Sequence, residues 1–243
     1  MMRNAYVARA RYGTGDFLKL NKRSCETRIR LTPCGTDFQK VQMRINGTNH
    51  EFFLSSIMGS QLSSFLSAVY CLNNEEDHEH GYFYRYWKAL KREYPFNRTD
   101  GNYSTSVDLH WDGEMYGYAS ITLSRTSPSD KPRPLDEADP ITIVIRRRKC
   151  QKYIVDGHDL CYALAKAYTE ALKKYGFKGF QKSAANQYAG DSVDMEEFLF
   201  VKAYALGVLG ARETKTAWQN PTGWEEAFSS SFEKEIELLL FDM

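Results

Sequence analysis

The sequence predicts an α+β fold: a mostly antiparallel sheet of about six or seven strands with helices packed on one face, followed by a helical C-terminal extension. Three observations favour it. Two units of a hairpin followed by a helix occur at residues 40–72 and 141–176, a third hairpin lies between them, and strand periodicity is absent from the last sixty residues. We expect residues 1–185 to form the sheet domain and residues 186–243 to dock on it as part of one structural domain.

The first unit begins with weakly alternating stretches at residues 26–32 and 40–45. Asn46-Gly47 tolerates positive φ, so a tight turn should lead into a return strand at residues 50–54. A following helix has apolar residues at spacings of three and four, which predicts that it faces the core. Those positions are Met58, Leu62, Phe65, Leu66 and Val69.

The central hairpin shows the clearest strand alternation in the chain. Residues 107–111 alternate apolar and polar side chains, and Asp112-Gly113 is a strong turn signal. We predict that the outward, polar and aromatic face of this hairpin binds a protein partner. Its four residues are Asp108, His110, Tyr116 and Tyr118.

The second unit starts with a strand at residues 141–145 that is apolar enough to be buried on both faces. It runs into the basic segment Arg146-Arg147-Arg148-Lys149, and residues 152–155 return. Asp156 can cap a helix that should extend to Tyr175.

The last sixty residues predict two further helices. Asp194 should begin the first, which Gly207 should end. Thr222 and Glu225 fit a capping box for the second, whose apolar side chains run from Trp224 to Leu240. That apolar stripe must dock on the sheet domain or on another chain, so a homodimer through the C-terminal helices is an alternative.

Composition excludes several classes of protein. Of 243 residues, 42% are hydrophobic and 26% charged, as in globular proteins. The longest apolar run is six residues, Leu160 to Ala165, so we expect no membrane-spanning helix. The five cysteines include no CxxC pair, and the first thirteen residues lack the apolar stretch of a secretory signal. We therefore expect a cytoplasmic protein with reduced thiols.

A net charge of +1 hides an asymmetry along the chain. Residues 1–30 contain eight Lys or Arg and two acidic residues, whereas residues 187–243 contain eleven acidic residues and four basic ones. Opposite charge at the two ends can act within one molecule or present two different surfaces to partners.

Motifs of enzymes and metal sites are largely missing. The sequence has no phosphate-binding glycine loop, nucleophile elbow or HExxH pattern. His78 and His80 lie in an acidic segment, but no second rigid element is identified to complete a zinc site, so we expect no metal and no cofactor. Asp108, His110 and Glu114 could support acid–base chemistry in a hydrolase-like enzyme, which is one alternative.

The leading hypothesis is a non-catalytic, cytoplasmic protein-binding module. The hairpin–helix pattern without catalytic motifs is what we expect of a small bacterial binding protein, and immunity-like or antitoxin-like proteins are one such class, by analogy. A further alternative is a nucleic-acid or phosphate-binding protein that uses Arg146, Arg147, Arg148 and Lys149, since arginine binds phosphate bidentately. The sequence pI of about 7.6 argues against nucleic acid, for which a domain is usually basic overall.

Overall fold

A computed structural model describes residues 27–33, 38–55, 61–72, 106–111, 119–125, 140–184, 193–208, 214–220 and 223–243. Within these ranges the chain forms two antiparallel sheets, of three and four strands, a separate β-hairpin and five helices. The α+β class is therefore confirmed, but the single sheet of six or seven strands is wrong. The two sheets meet through side chains instead of backbone hydrogen bonds.

The first sheet contains β1 (Thr27–Pro33), β2 (Phe38–Ile45) and β3 (Thr48–Ser55), in that order. The predicted turn is confirmed: Ile45 pairs with Thr48, and Asn46 and Gly47 have φ of 47° and 81°. Both φ values lie in the left-handed region that a two-residue hairpin turn requires. Alternate residues of the strands, such as Val41 and Met43, are buried in the core.

The second sheet contains β4 (Ser106–Trp111), β5 (Ala119–Arg125), β6 (Pro140–Arg146) and β7 (Cys150–Asp156), in that order. One face of the sheet joins the hydrophobic core. Its buried side chains include Leu109, Ile121, Leu123, Ile141, Ile143, Ile145 and Val155.

The register of β4 and β5 corrects the predicted turn of the central hairpin. Trp111 pairs with Ala119, so seven residues separate the paired ends, whereas a two-residue turn at Asp112-Gly113 would place Trp111 opposite Glu114. That alternative register would also turn Ile121 and Leu123 to the polar face, because directly opposite residues share a face. Burial of these two side chains therefore selects the observed pairing.

The helices cover the sheets and supply the rest of the core. They are α1 (Gln61–Tyr70), α2 (Gly157–Tyr175), α3 (Phe177–Ala184), α4 (Met195–Leu206) and α5 (Phe232–Leu240). Helix α2 is central, since it packs against both β1 and α4. Asp156 caps α2 as predicted, accepting hydrogen bonds from the backbone amides of His158 and Asp159 at 2.9 and 3.1 Å.

Helix α4 is buried on nearly all sides. Asp194 caps its first turn and the helix ends before Gly207, as the sequence predicts, and Gly207 has the left-handed conformation. Its buried carboxylate, Glu197, accepts a 2.6 Å hydrogen bond from Ser67 on α1. Aromatic rings fill the space between α2, α3 and α4: the Tyr168 ring lies 5.9 Å from Phe180 and 6.0 Å from Phe198, between centroids.

The predicted helix that begins at Thr222 is wrong. Residues Gly223–Ser229 form strand β9, which pairs with β8 (Thr214–Asn220), and the helix α5 begins only at Phe232. The sequence pattern permits both structures, because Trp224 and Phe228 are four residues apart and fit a period of 3.6 as well as a period of two. Pro221 favours a turn at this position.

A buried lysine ties α5 to the rest of the protein. Lys202, on α4, is fully buried, and its Nζ donates hydrogen bonds to the carbonyl oxygens of Leu239 at 3.1 Å and Phe241 at 2.8 Å. The Lys202 ammonium thus satisfies carbonyls at the C-terminal end of α5, where cations are favoured. Asp242 adds an exposed ion pair with Lys173 of α2 at 2.5 Å.

Candidate functional site

The outer face of the three-stranded sheet is basic. Its exposed side chains include Arg28 and Arg30 of β1 and Arg44 of β2, all at positions that alternate with core residues. The register places Arg28 directly opposite Arg44, with Cβ atoms about 4.5–5.5 Å apart in such pairs. Like charges at this separation destabilise a sheet, so the fold does not require this arrangement. We call Arg28, Arg30 and Arg44 the basic face.

One carboxylate lies within this face, and other residues already neutralise it. Glu51 forms a 2.8 Å ion pair with Lys40 and accepts a 2.7 Å hydrogen bond from the Gln42 side chain. The pKa of Glu51 is lowered, chiefly by the hydrogen bond from Lys40 and then by that from Gln42. Among the residues that the structure describes, no carboxylate pairs with any of the three arginines.

The turn that joins β6 to β7 lies against the edge of the same sheet. The Arg147 guanidinium donates to the backbone carbonyl of Glu51 and stacks on Phe52, with Cζ 4.1 Å from the ring centroid. Burial lowers the pKa of Arg147. Arg147 therefore anchors the turn to β3 and leaves Arg148 and Lys149 exposed beyond it.

His50 completes the junction between the two sheets. Its Nε2 lies 2.9 Å from the hydroxyl oxygen of Tyr153 on β7, and the two rings meet edge to face at 5.3 Å. Burial, and then the nearby charge of Arg147, lower the pKa of His50. His50 is accordingly a neutral structural residue at pH 7, and the junction holds the basic turn in place.

The predicted sites on the central hairpin and on the basic segment are connected. Thr122 Oγ1 donates to the Asp108 carboxylate at 2.5 Å and accepts from Arg146 Nη1 at 2.6 Å. Because all three side chains lie on the outer face of the second sheet, Asp108 and Arg146 are parts of one polar network instead of two separate sites.

The other predicted site residues are only partly described. His110 is in β4 opposite Ser120, and its side chain lies outside the described residues, as do Glu114, Tyr116 and Tyr118. His78 and His80 also lie outside them. In the described part of the chain, no group of three or more His, Cys, Asp or Glu side chains is arranged to hold a metal ion.

Sequence reasoning missed the basic face, although a signal for it existed. Residues 27–32 read Thr-Arg-Ile-Arg-Leu-Thr, in which arginine alternates with apolar residues. The charge excess of residues 1–30 pointed to the same stretch. Finding the face also required the partner strand, because only the register shows that Arg44 lies opposite Arg28.

Comparison with known proteins adds no family. The chain matches no protein-family model, no curated protein and no solved structure. None of the helices described is both long and apolar enough to cross a lipid bilayer.

Proposed function

We propose that this protein binds nucleic acid through the basic face (Arg28, Arg30 and Arg44), with Arg148 and Lys149, in the turn at the β3 edge of the same sheet, as further cations. The observation that carries the proposal is the pair of exposed arginines, Arg28 opposite Arg44, whose repulsion no described carboxylate relieves. A bound phosphate would supply that relief, since a guanidinium group matches the geometry of a phosphate and can bind it bidentately.

The dimensions of the surface suit a phosphate backbone. Arg30 lies two residues along β1 from Arg28, a spacing of about 6.6–6.8 Å in a strand, and Arg44 lies on the neighbouring strand. Several cations are therefore presented at short intervals on a rigid sheet. Neutralising several phosphates releases counterions, which is the main source of sequence-independent affinity for nucleic acids.

The near-neutral pI of the whole chain, which is unusual for a nucleic-acid-binding domain, is compatible with a local basic surface. At physiological ionic strength charges are screened over about 8 Å, so a phosphate responds chiefly to the side chains beside it. Residues 187–243 contain eleven acidic residues and only four basic ones, whereas the basic face comes from β1 and β2.

The test is the salt dependence of binding to a fluorescein-labelled 20-nucleotide strand and to its duplex, followed by anisotropy. Replacing Arg28, Arg30 and Arg44 by Gln should weaken binding at least tenfold near 0.1 M salt. It should also reduce the magnitude of the slope of log K against log salt by about 3 for the duplex and about 2 for the single strand. The matched control is Lys182→Gln, which removes an exposed cation of α3. Absence of binding at low salt, or an unchanged slope in the triple variant, would refute the proposal.

A protein partner on the outer face of the second sheet is a second candidate. The connected side chains of Asp108, Thr122 and Arg146 support it, because they hold two opposite charges in fixed positions that can select a partner. Tyr118→Ala should then reduce capture of a specific protein by at least tenfold without lowering the melting temperature. Equal capture by the wild-type protein and by Tyr118→Ala would remove this face from consideration.

A further inference from the structure

Helix α5 exposes a continuous apolar stripe. Phe232, Ile236 and Leu240 are 68%, 38% and 72% exposed and follow one another at intervals of four residues. Such spacing places all three side chains on one side of a helix, while Leu238 is buried on the opposite side. The helix is therefore apolar toward solvent as well as toward the core.

Acidic residues border this stripe. Glu233 and Glu237 flank it on one side and Glu235 lies on the other, as follows from a rotation of about 100° per residue. Glu233 and Glu235 accept hydrogen bonds from the hydroxyls of Ser231 and Ser230, respectively. We call this surface the acidic patch: Phe232, Ile236 and Leu240 with Glu233, Glu235 and Glu237.

A second surface of opposite character lies next to it. Phe177, at the start of α3, is 52% exposed and stands between Lys174 and Lys178. We call these three residues the basic patch. The ion pair between Lys173 and Asp242 holds the end of α2, where Lys174 lies, beside the end of α5, where Leu240 lies. A hydrogen bond from Thr169 to Met243 Sδ, at 3.8 Å, supports the same arrangement.

We propose that two copies of this chain pair through these surfaces, the acidic patch of each copy on the basic patch of the other. In a two-fold dimer every contact occurs twice, once from each copy. A surface that carries two patches of opposite charge can therefore pair with the same surface of a second copy. The aromatic and aliphatic side chains form the centre of the interface, and the charges around them set the orientation.

The exposed apolar area fits a dimer of moderate affinity. Four large apolar side chains, each about half exposed, offer roughly 300–400 Å² per copy, within the range of the largest patches on monomers. A standard interface buries about 800 Å² per partner, so the charged border must supply the rest. Pairing should therefore be concentration-dependent in the micromolar range and weaken as salt is raised.

The experiment is a charge exchange, measured by sedimentation velocity between about 1 and 200 μM protein. One variant carries Glu233→Lys with Glu237→Lys, and the other carries Lys174→Glu with Lys178→Glu. Each variant alone should be at least tenfold weaker in self-association, because both of its contacts pair like charges. An equimolar mixture should recover the wild-type dimer fraction, because both contacts then pair opposite charges.

Two single substitutions separate the interface from a general loss of apolar surface. Ile236→Ser should abolish pairing, whereas Ile154→Ser, at a 53% exposed position of β7, should leave it unchanged. All variants should keep the far-ultraviolet circular dichroism of the wild type. A wild-type protein that is monomeric at all concentrations, or a mixture that does not recover the dimer, would overturn the proposal.

Discussion

Lys202 is the side chain whose replacement best tests the description of the fold. Its ammonium group is buried between α4 and the end of α5 and donates to two backbone carbonyls. Replacement by Met keeps most of the aliphatic volume and removes the charge. The pKa of Lys202 is lowered from 10.5 to about 8. Burial of the charge is the largest cause, the nearby charge of Lys173 acts in the same direction, and Asp242 acts in the opposite direction.

The sign of the pH dependence follows from this shift. The unfolded chain holds the Lys202 proton up to about pH 10.5, whereas the folded protein releases it near pH 8, so raising the pH through this window stabilises the fold. Between pH 7 and pH 9.5 the contribution amounts to about 2 kcal/mol in favour of folding. Buried Tyr168, whose pKa is raised, acts in the opposite direction near pH 10, so the measurement should end at pH 9.5.

The assay is urea denaturation of the wild-type protein and of Lys202→Met at pH 7 and pH 9.5. Titration of other groups changes both proteins equally. The free energy of unfolding of the wild-type protein, minus that of Lys202→Met, should therefore increase by about 2 kcal/mol from pH 7 to pH 9.5. Lys182→Met, on the exposed side of α3, should show no such change. Parallel pH dependence in the wild-type protein and in Lys202→Met would refute the description of Lys202 as a buried, charged donor.

Three further changes test other contacts of the fold. Asp156→Ala removes the cap of α2 and should cost about 0.5–2 kcal/mol of stability in urea denaturation, with Asp159→Ala as a neighbouring comparison that keeps the cap. His50→Gln should reduce the loss of stability between pH 7 and pH 5, because the lowered pKa of His50 makes its protonation unfavourable in the folded state. The same loss of stability in His50→Gln and in the wild-type protein would contradict this. Tyr168→Phe removes the hydroxyl that donates to the Leu62 carbonyl and should lower the melting temperature by about 2–4 °C, so an unchanged melting temperature would contradict this bond.

The candidate site was only partly accessible from sequence. The segment Arg146–Lys149 is visible as a run of cations, but its members have different roles. Arg147 anchors the turn on Phe52 and Arg146 joins Thr122, so the proposed ligand contacts of this segment fall to Arg148 and Lys149 alone. This division depends on Phe52 of β3 and Thr122 of β5, which belong to other strands, so no local pattern reveals it.

Local features of the chain were predictable where one physical requirement dominated. The positive φ of Asn46 and Gly47, the capping carboxylates of Asp156 and Asp194, and the left-handed Gly207 are all properties of a few neighbouring residues. Such residues carry the same preference in any context, since it comes from backbone sterics and from hydrogen bonds within one turn.

Features that depend on partners distant in the chain were not predictable. Trp224 and Phe228 fit a helix and a strand equally well, and only pairing with β8 places them in a strand. The hairpins could have joined one sheet, but side-chain packing of His50 and Phe52 against Tyr153 and Arg147 leaves them in two. Burial of Lys202 likewise requires that α5 fold back onto α4. In each case the deciding energy is the burial of side chains between elements, and that energy exists only after the elements have come together.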